Sequence, residues 1–301
     1  MKFDVAVIGG GPAGLSASIF STRAGLSTIC FEQLAIGGQA TLSYEIENYP
    51  AFKSISGFDL TQKMFEQAKI CGTQFQFGTV KIIKKNKSSF SVVTNNETYQ
   101  VKKLIIASGT ISRKLGLNEE KFIGKGISYC ASCDGNFFKN KTVAVVGGGD
   151  SAFQAVEYLS RIAKKVVLLN RSEKFKANSL RVEMAKKLKN VEIKTNVQVI
   201  DLIGDSVLTE IKLNNGKTMK VQGLFVMIGH NPNLNFLDFK IDLDLNGYIV
   251  VDKDMKTSEN NVYACGDIVS KNFKQVITAC ADGAIAGNSC VGSSIWKNHV
   301  R

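Results

Sequence analysis

The sequence has few of the residues that build metal sites, and it lacks long apolar runs. Only two histidines occur, His230 and His299, and they do not form a His-x3–5-His pair. With one Cys-x-x-Cys motif in the whole chain, a closed structural zinc site is hard to assemble. No apolar run approaches about 18 residues, so no transmembrane helix is expected. No signal-peptide apolar segment with a small-residue cleavage site is visible, and we expect a cytoplasmic protein that binds neither a metal nor a membrane.

Proline is also scarce, with three residues in 301, and low-complexity tracts are absent. A chain of this length that is 44% hydrophobic and 21% charged has the composition of a globular protein with two domains. The net charge of +12 comes from lysines that are spread along the chain. We interpret most of them as solvated surface groups, with attraction of an acidic protein partner as the alternative. Nucleic-acid binding is not expected.

The Cys-x-x-Cys motif is followed directly by an acid. Cys130 and Cys133 can close a small disulfide ring that opens and re-forms easily, and such a motif raises thiolate character. Asp134 can give a proton to a departing thiolate or take one back. Alone, the motif is also compatible with half a zinc site or with no function. The remaining cysteines lie singly in apolar patterns and are expected to be small buried hydrophobes: Cys30, Cys71, Cys265, Cys280 and Cys290.

A dinucleotide-binding pattern opens the chain. An apolar strand at residues 3–8 leads into Gly9-Gly10-Gly11-Pro12-Ala13-Gly14, which satisfies G-x-G-x-x-G. A helical stretch and a second strand follow, and that strand ends at Glu32. The glycines let the backbone approach a pyrophosphate, the helix N-terminus supplies amide donors, and an acid about 20 residues further on accepts hydrogen bonds from a ribose. Together these parts predict dinucleotide binding.

The same pattern returns after the cysteine pair. A buried strand at 142–146 leads into Gly147-Gly148-Gly149-Asp150-Ser151-Ala152, the G-x-G-x-x-A variant. Two dinucleotide sites in one chain indicate a flavoenzyme that a nicotinamide cofactor reduces. Where the first unit has Glu32, the second has Asn170 followed by Arg171. An acid at this position would repel the 2′-phosphate of NADPH, whereas a neutral residue followed by arginine tolerates it, so the pair favours NADPH. Alternatively, Arg171 is a solvated surface charge.

Taken together, the motifs resemble those of the low-molecular-weight thioredoxin reductases, a branch of the pyridine-nucleotide disulfide oxidoreductases, over the whole chain. In this branch the cysteines lie inside the nicotinamide domain, whereas in the glutathione-reductase-like branch they come early and are more widely spaced. The segments that carry the resemblance are Gly9 to Gly14, Gly37-Gly38-Gln39, Glu47-Asn48-Tyr49-Pro50, Cys130 to Gly135, Gly147 to Ala152, Ala264-Cys265-Gly266-Asp267 and Lys274-Gln275.

The resemblance implies an α/β fold of two Rossmann-like, three-layer domains. A discontinuous FAD domain at 1–113 and 243–301 would enclose an NAD(P)H domain at 114–242, with hinges near 113–117 and 238–245 and a homodimeric assembly. The residues implied for FAD are Gly9, Gly11, Pro12, Ala13, Gly14, Glu32, Gln33, Gly37, Gly38, Gln39, Asn48, Gly109, Gly266, Asp267, Lys274, Gln275 and Val276. Those implied for NADP are Gly147, Gly149, Asp150, Ser151, Ala152, Asn170, Arg171 and Lys176.

By the same resemblance, Cys133 lies closer to the flavin, Cys130 exchanges with thioredoxin and Asp134 is the acid–base group. The family usually has His-Arg-Arg and then a further Arg around the 2′-phosphate, whereas this chain has Asn170-Arg171-Ser172 and Lys176. Lysine keeps the charge but loses the bidentate fork of arginine, so we expect a weaker NADPH preference or acceptance of NADH. Ser132 replaces a usual threonine and keeps its hydroxyl.

The leading hypothesis is therefore an NADPH-dependent thioredoxin-disulfide reductase, and three alternatives remain. A reductase of the same fold that takes electrons from NADH, or from a ferredoxin or flavodoxin, is favoured by the altered 170–176 segment and disfavoured by the intact second glycine motif. The reductase portion of a peroxiredoxin-reducing flavoprotein would need an extra thioredoxin-like domain before the first strand. A non-catalytic redox sensor is disfavoured by the intact Cys130, Cys133 and Asp134.

Overall fold

The structure is a computed structural model that describes residues 1–43 and 45–291. Within these residues the strands are β1 (Lys2–Ile8), β2 (Thr28–Glu32), β3 (Gln74–Phe77), β4 (Val80–Lys85), β5 (Phe90–Thr94), β6 (Thr98–Ile106), β7 (Thr110–Ser112), β8 (Ile127–Ser128), β9 (Thr142–Val146), β10 (Lys165–Leu169), β11 (Val191–Lys194), β12 (Val199–Ile203), β13 (Glu210–Leu213), β14 (Thr218–Lys220), β15 (Gly223–Val226), β16 (His230–Pro232) and β17 (Val262–Ala264). The α-helices are α1 (Pro12–Arg23), α2 (Gly57–Ile70), α3 (Ala131–Asp134), α4 (Asp150–Ser160), α5 (Ser179–Lys186) and α6 (Val276–Ser289). Short 3₁₀ turns lie at Gly38–Leu42, Glu119–Phe122, Gly135–Phe138 and Gly266–Ile268.

The chain divides into two compact units. The first comprises Met1–Ile111 together with the described residues from Asn231 onward, and the second comprises Ser112–His230. The two segments that connect the units carry β7 and β16, which pair as a two-stranded sheet.

The structure assigns residues 231–242 to the first unit, whereas the sequence placed them in the second. Ile83 of β4 donates its N–H to the carbonyl of Phe236 at 2.6 Å and accepts from the N–H of Asp238 at 3.0 Å. Phe239 packs against Phe90, with 5.7 Å between the ring centroids. These contacts bind the segment to the core of the first unit.

The first unit is built on a seven-stranded sheet in the order β3-β2-β1-β6-β5-β4, with β17 also paired to β6. Strands β1, β2, β3, β6 and β17 run parallel, and β4-β5-β6 form an antiparallel meander. From Val5 to Ile8, β1 is buried on both faces, as expected of a parallel strand covered on each side. Helices α1 and α6 pack on one face of β1 through a core that includes Val7, Ala17 and Ala286.

The second unit has a five-stranded parallel sheet in the order β11-β10-β9-β15-β8, and a separate antiparallel sheet, β12-β13-β14. Helix α4 packs on one face of β9 around Phe153 and Val156, both fully buried. The opposite face is covered around Val199 and Ile211 of the antiparallel sheet.

Each unit therefore contains a strand–helix–strand repeat with its glycine loop directly after the first strand. Strand β1 ends at Ile8 before one loop, and β9 ends at Val146 before the other. Ligands of open parallel sheets bind at the carboxyl ends of the strands, which is where both loops lie. The prediction of two Rossmann-like α/β units is confirmed.

Candidate redox and dinucleotide-binding sites

The two cysteines of the motif are joined to each other in the second unit. Cys130 and Cys133 form a disulfide with their Cα atoms 5.4 Å apart, across the short helix α3. Cys130 is the N-cap of this helix, and its Sγ accepts a hydrogen bond from Cys133 N at 3.1 Å. Cys130 is half-buried and Cys133 is exposed.

The backbone around this disulfide is held by hydrogen bonds. Buried Ser128 accepts from Cys130 N at 3.0 Å and donates to Cys130 O at 3.0 Å through the same hydroxyl. The N–H of Asp134 donates to Cys130 O at 3.2 Å, so this predicted acid–base residue lies at the end of α3, half-buried. Ser132 places its hydroxyl 3.6 Å from Cys130 Sγ.

A buried carboxylate that sequence reasoning missed lies next to this motif. Glu119 has no exposed surface, and it accepts hydrogen bonds from Leu115 N, from Leu117 N at 2.8 Å and from the Tyr129 hydroxyl at 3.0 Å. Burial alone would raise the pKa of Glu119, but the hydrogen bonds outweigh it, so its pKa is lowered. Burial and the bond to Glu119 raise the pKa of Tyr129. Glu119 is followed by Glu120 in the sequence, and adjacent acids are typical of a solvent-exposed surface, so nothing in the sequence indicated its burial.

The first glycine loop has the shape of a dinucleotide cradle. A side chain at Gly14 would put its Cβ 1.8 Å from Gly9 O, so the loop and helix can approach this closely only with glycine. No side chain caps α1 at Gly11, and a Cβ there would meet nothing within 4 Å. The start of α1 is thus neither capped by a side chain nor crowded at Gly11, as pyrophosphate binding requires. Pro12 and Ala13 form the first turn of α1.

Glu32 closes the loop from the end of β2. One carboxylate oxygen accepts from Gly10 N at 2.8 Å and the other from Leu34 N at 2.8 Å. Each carboxylate oxygen has a second acceptor position, so Glu32 can still receive a ribose hydroxyl. Gln33 follows it on the exposed surface.

Other residues implied for FAD gather around this loop. Gly37 donates its N–H to Gly10 O at 2.8 Å, and a Cβ at Gly38 would lie 3.4 Å from Gly11 Cα. Asn48 donates to Gln275 Oε1 at 3.1 Å, which joins positions 227 residues apart. The side chain of Gln39 donates to Thr110 O, next to Gly109 in the turn after β6.

The second segment of the first unit, which begins at Asn231, carries the remaining residues implied for FAD. A Cβ at Gly266 would lie 2.7 Å from Ala13 Cβ, which places the Gly266-Asp267 turn against the first turn of α1. Lys274 donates to Asp267 O at 2.9 Å, and its Nζ lies 3.4 Å from the centroid of the Tyr248 ring. Burial lowers the pKa of Lys274. Gln275 caps α6 in a capping box with Thr278, immediately before Val276.

The second glycine loop repeats the design in the second unit. Gly147 donates its N–H to Leu169 O at 3.0 Å, and no side chain caps α4 at Gly149. Asn170 is buried, and its amide donates to the carbonyls of Ser172 and Lys174 at 2.7 and 3.1 Å. A Cβ at Gly148 would lie 2.4 Å from Asn170 Oδ1, so Asn170 closes this loop as Glu32 closes the first.

Three of the charged groups around the second loop, Asp150, Arg171 and Lys176, are exposed. Asp150 accepts from Asn178 N at 3.0 Å, and Arg181 lies 3.8 Å from the same carboxylate oxygen. Lys176 donates its backbone N–H to Gly148 O at 2.7 Å and leaves its ammonium exposed, as does the guanidinium of Arg171. Ser151 is exposed, and Ala152 is buried in the first turn of α4.

Within the residues that the structure describes, no group of three His, Cys, Asp or Glu side chains is arranged to hold a metal ion. Over the same residues, no helix combines the length and the apolar character needed to cross a membrane.

Comparison with known proteins identifies relatives along nearly the whole chain. The sequence pattern of the family described as pyridine nucleotide-disulphide oxidoreductase matches residues 3–283. The thioredoxin reductase of Listeria innocua is 40% identical over 295 residues, which are 95% of this chain and 92% of that protein. The thioredoxin reductase of Lactococcus lactis has a TM-score of 0.89 at 33% identity, covering 96% of this chain and 97% of that one. That of T. acidophilum has a TM-score of 0.89 at 36% identity, covering 98% and 99%.

Proposed function

The chain belongs to the pyridine nucleotide-disulphide oxidoreductases, and from this premise we propose that it is a thioredoxin-disulfide reductase driven by NADPH through FAD. The observation that carries the proposal is the Cys130–Cys133 disulfide, which lies in the same unit as the second glycine loop. The unit of Met1–Ile111 and the residues from Asn231 onward would be the FAD domain, and Ser112–His230 the NADPH domain.

The first unit fits a bound FAD. The glycine loop leaves open space at Gly11, and Glu32 keeps acceptor capacity for a ribose. Bound FAD supplies two-electron chemistry between a nicotinamide hydride and a disulfide. The residues that would hold it are those gathered around α1 and the start of α6: Gly9, Gly11, Pro12, Ala13, Gly14, Glu32, Gln33, Gly37, Gly38, Gln39, Asn48, Gly109, Gly266, Asp267, Lys274, Gln275 and Val276.

The cysteine pair carries the electrons to the protein substrate by thiol–disulfide exchange. In the dithiol form, the thiolate of Cys130 attacks one sulfur of a thioredoxin disulfide, that disulfide breaks, and a mixed disulfide forms. Cys133 then attacks Cys130, the mixed disulfide breaks, and reduced thioredoxin leaves as the Cys130–Cys133 bond re-forms. Asp134 at the end of α3 exchanges the proton with the departing sulfur.

The charge around the second loop supports NADPH as the donor. Neutral Asn170 presents no carboxylate to a 2′-phosphate, and the exposed cations of Arg171 and Lys176 lie on the same loop. Ser172 occupies the place of an arginine in the related enzymes, so we propose that NADH is accepted as a weaker donor. The remaining residues that would bind the nucleotide are Gly147, Gly149, Asp150, Ser151 and Ala152.

We also propose a homodimer in the cytoplasm, which the resemblance to the family supports.

The deciding experiment for the reductase activity is an anaerobic titration of the purified yellow protein, first with NADPH and then with NADH, while flavin absorbance is followed. Stoichiometric bleaching by NADPH, followed by turnover with a bacterial thioredoxin, is the expected result. If neither nucleotide bleaches the flavin, the nicotinamide-driven reaction is wrong and a ferredoxin-type donor takes its place. Cys133→Ser should keep the bleaching and lose transfer to thioredoxin.

A further inference from the structure

Hydrogen-bond donors surround the sulfur of Cys130 but not that of Cys133. Cys130 Sγ accepts from Cys133 N at 3.1 Å and lies 3.6 Å from Ser132 Oγ. A disulfide sulfur carries no hydrogen, so the hydroxyl of Ser132 must be the donor of this second contact. Over residues 1–43 and 45–291, no hydrogen bond to the sulfur of Cys133 is seen, and its bonded neighbour is Cys130 Sγ. The two sulfurs therefore lie in different environments.

Hydrogen bonds hold the segment that precedes Cys130. Ser128 is buried and binds both the N–H and the carbonyl of Cys130 through one hydroxyl. Tyr129 is tied through its hydroxyl to the buried carboxylate of Glu119. On the other side, the backbone of α3 carries Ser132. The Ser132 hydroxyl thus contacts the sulfur of a residue whose backbone is held by hydrogen bonds to Ser128.

Hydrogen bonds to the charged form of an ionisable group favour that form. They are also stronger when the acceptor carries a charge. Once the disulfide opens, a negative charge on Cys130 is stabilised by the Ser132 hydroxyl and by Cys133 N, whereas a charge on Cys133 has neither donor. The thiolate is the form that attacks a disulfide, so the donors act on the rate of exchange.

We propose that Ser132 is a positioning residue for the exchange step. Its hydroxyl stabilises the thiolate of Cys130 and thereby makes Cys130, and not Cys133, the sulfur that attacks the protein disulfide. This inference rests on the proposed reductase function. In the step concerned, a bond forms between Cys130 Sγ and one substrate sulfur, the substrate disulfide breaks, and the second substrate sulfur leaves as a thiolate that takes up a proton.

Two variants separate the hydroxyl from the rest of the side chain. Ser132→Ala removes the donor and leaves the backbone of α3 intact, whereas Ser132→Thr keeps the donor and adds a methyl group. Ser206→Ala is the matched control, because Ser206 is an exposed serine of the same unit in the turn between β12 and β13.

The test measures the ionisation of Cys130 directly. FAD-loaded protein carrying Cys133→Ser is reduced and alkylated with iodoacetamide across pH 5 to 10, and the Cys130 peptide is quantified by mass spectrometry. Ser132→Ala should move the midpoint of the alkylation profile to higher pH and slow alkylation at neutral pH by about three- to tenfold, the size of one weak hydrogen bond. Ser132→Thr and Ser206→Ala should keep the profile of the parent.

An unchanged midpoint in Ser132→Ala would overturn the inference. A midpoint that shifts equally in Ser132→Thr would overturn it as well, since the effect would then be steric. In the protein with both cysteines, alkylation should modify Cys130 before Cys133, and the opposite order contradicts the proposal. The alkylation profile needs no thioredoxin, so absence of thioredoxin reduction in the unmodified protein would reject the proposed function separately.

Discussion

The carboxylate of Glu119 offers a test of how the redox motif is held in the second unit. It is fully buried and satisfies three donors: Leu115 N, Leu117 N and the Tyr129 hydroxyl. Leu115 and Leu117 lie just after the point where the chain enters the second unit, and Tyr129 directly precedes Cys130. Loss of this carboxylate should therefore loosen both the entry segment and the approach to the disulfide.

The expected losses of stability follow from the number of hydrogen-bond donors that each variant leaves without an acceptor. A buried donor without a partner costs about 1–3 kcal/mol. Glu119→Ala leaves all three donors unpaired and should lower the free energy of unfolding of the second unit by about 3–5 kcal/mol. Glu119→Gln keeps one acceptor oxygen but turns its NH₂ group toward one of the donors, and should lower the free energy of unfolding by about 1–3 kcal/mol. Tyr129→Phe removes one donor and should cost about 1 kcal/mol.

The measurement is local hydrogen exchange at the two leucine amides, read by mass spectrometry of the peptide that spans residues 113–122, beside urea unfolding followed by far-ultraviolet circular dichroism. Exchange should accelerate in the order Tyr129→Phe, Glu119→Gln, Glu119→Ala. Glu120→Gln is the matched control, because Glu120 is exposed and its ion pair with Lys114 at 2.7 Å lies on the surface. Equal exchange in Glu119→Ala and Glu120→Gln would refute the reasoning.

The same carboxylate predicts a pH dependence with a definite sign. The pKa of Glu119 is lowered in the folded protein, so its stabilising contribution is fully present above the unfolded-state pKa of about 4.3. The contribution is lost as the pH falls from there through the lowered folded-state pKa. The stability difference between the parent protein and Glu119→Gln should therefore be constant from about pH 6 upward and shrink in acid. A difference that grows in acid contradicts the assignment.

Other perturbations test the two nucleotide loops and the buried thiols. Gly14→Ala should lower thermal stability and FAD retention, because its Cβ would lie 1.8 Å from a backbone oxygen, whereas Gly11→Ala should fold normally and lose only FAD affinity. Ser172→Arg should raise the kcat/KM ratio of NADPH to NADH by about tenfold, which steady-state kinetics would measure. Asn170→Asp should raise the KM for both nucleotides, since a carboxylate cannot donate to the carbonyls that the amide now binds. Thiol titration at pH 8 should leave Cys30 unreacted, because burial raises its pKa to about 12.

The elements that the sequence predicted well are those whose signal is local. A buried strand, a glycine loop and a helix follow one another within about 25 residues in each unit. The chemistry of that loop is largely backbone chemistry, so the spacing of Gly9, Gly11 and Gly14 was enough to predict the close approach of loop and helix that the structure shows. The second repeat, at 147–170, was recognised for the same reason.

The elements that were missed depend on partners far along the chain. The segment 231–242 belongs to the first unit because it binds Ile83, about 150 residues earlier, and nothing in its own sequence identifies that partner. Glu119 is buried because of where Tyr129 and the entry segment meet, whereas its sequence context is that of a surface acid. Local pattern cannot predict burial that a tertiary contact imposes.

The residues at the two strand ends show why equivalent positions in a repeat need not carry the same residue. Both Glu32 and Asn170 fold back onto the middle glycine of their loop, so the geometric requirement is shared. Glu32 meets it as an acceptor of Gly10 N. Asn170 must also donate, because the carbonyls of Ser172 and Lys174 turn toward it, and a glutamate or aspartate has no donor to offer them. The turn after β10 therefore requires a neutral side chain that can both donate and accept at position 170, whichever nucleotide binds there.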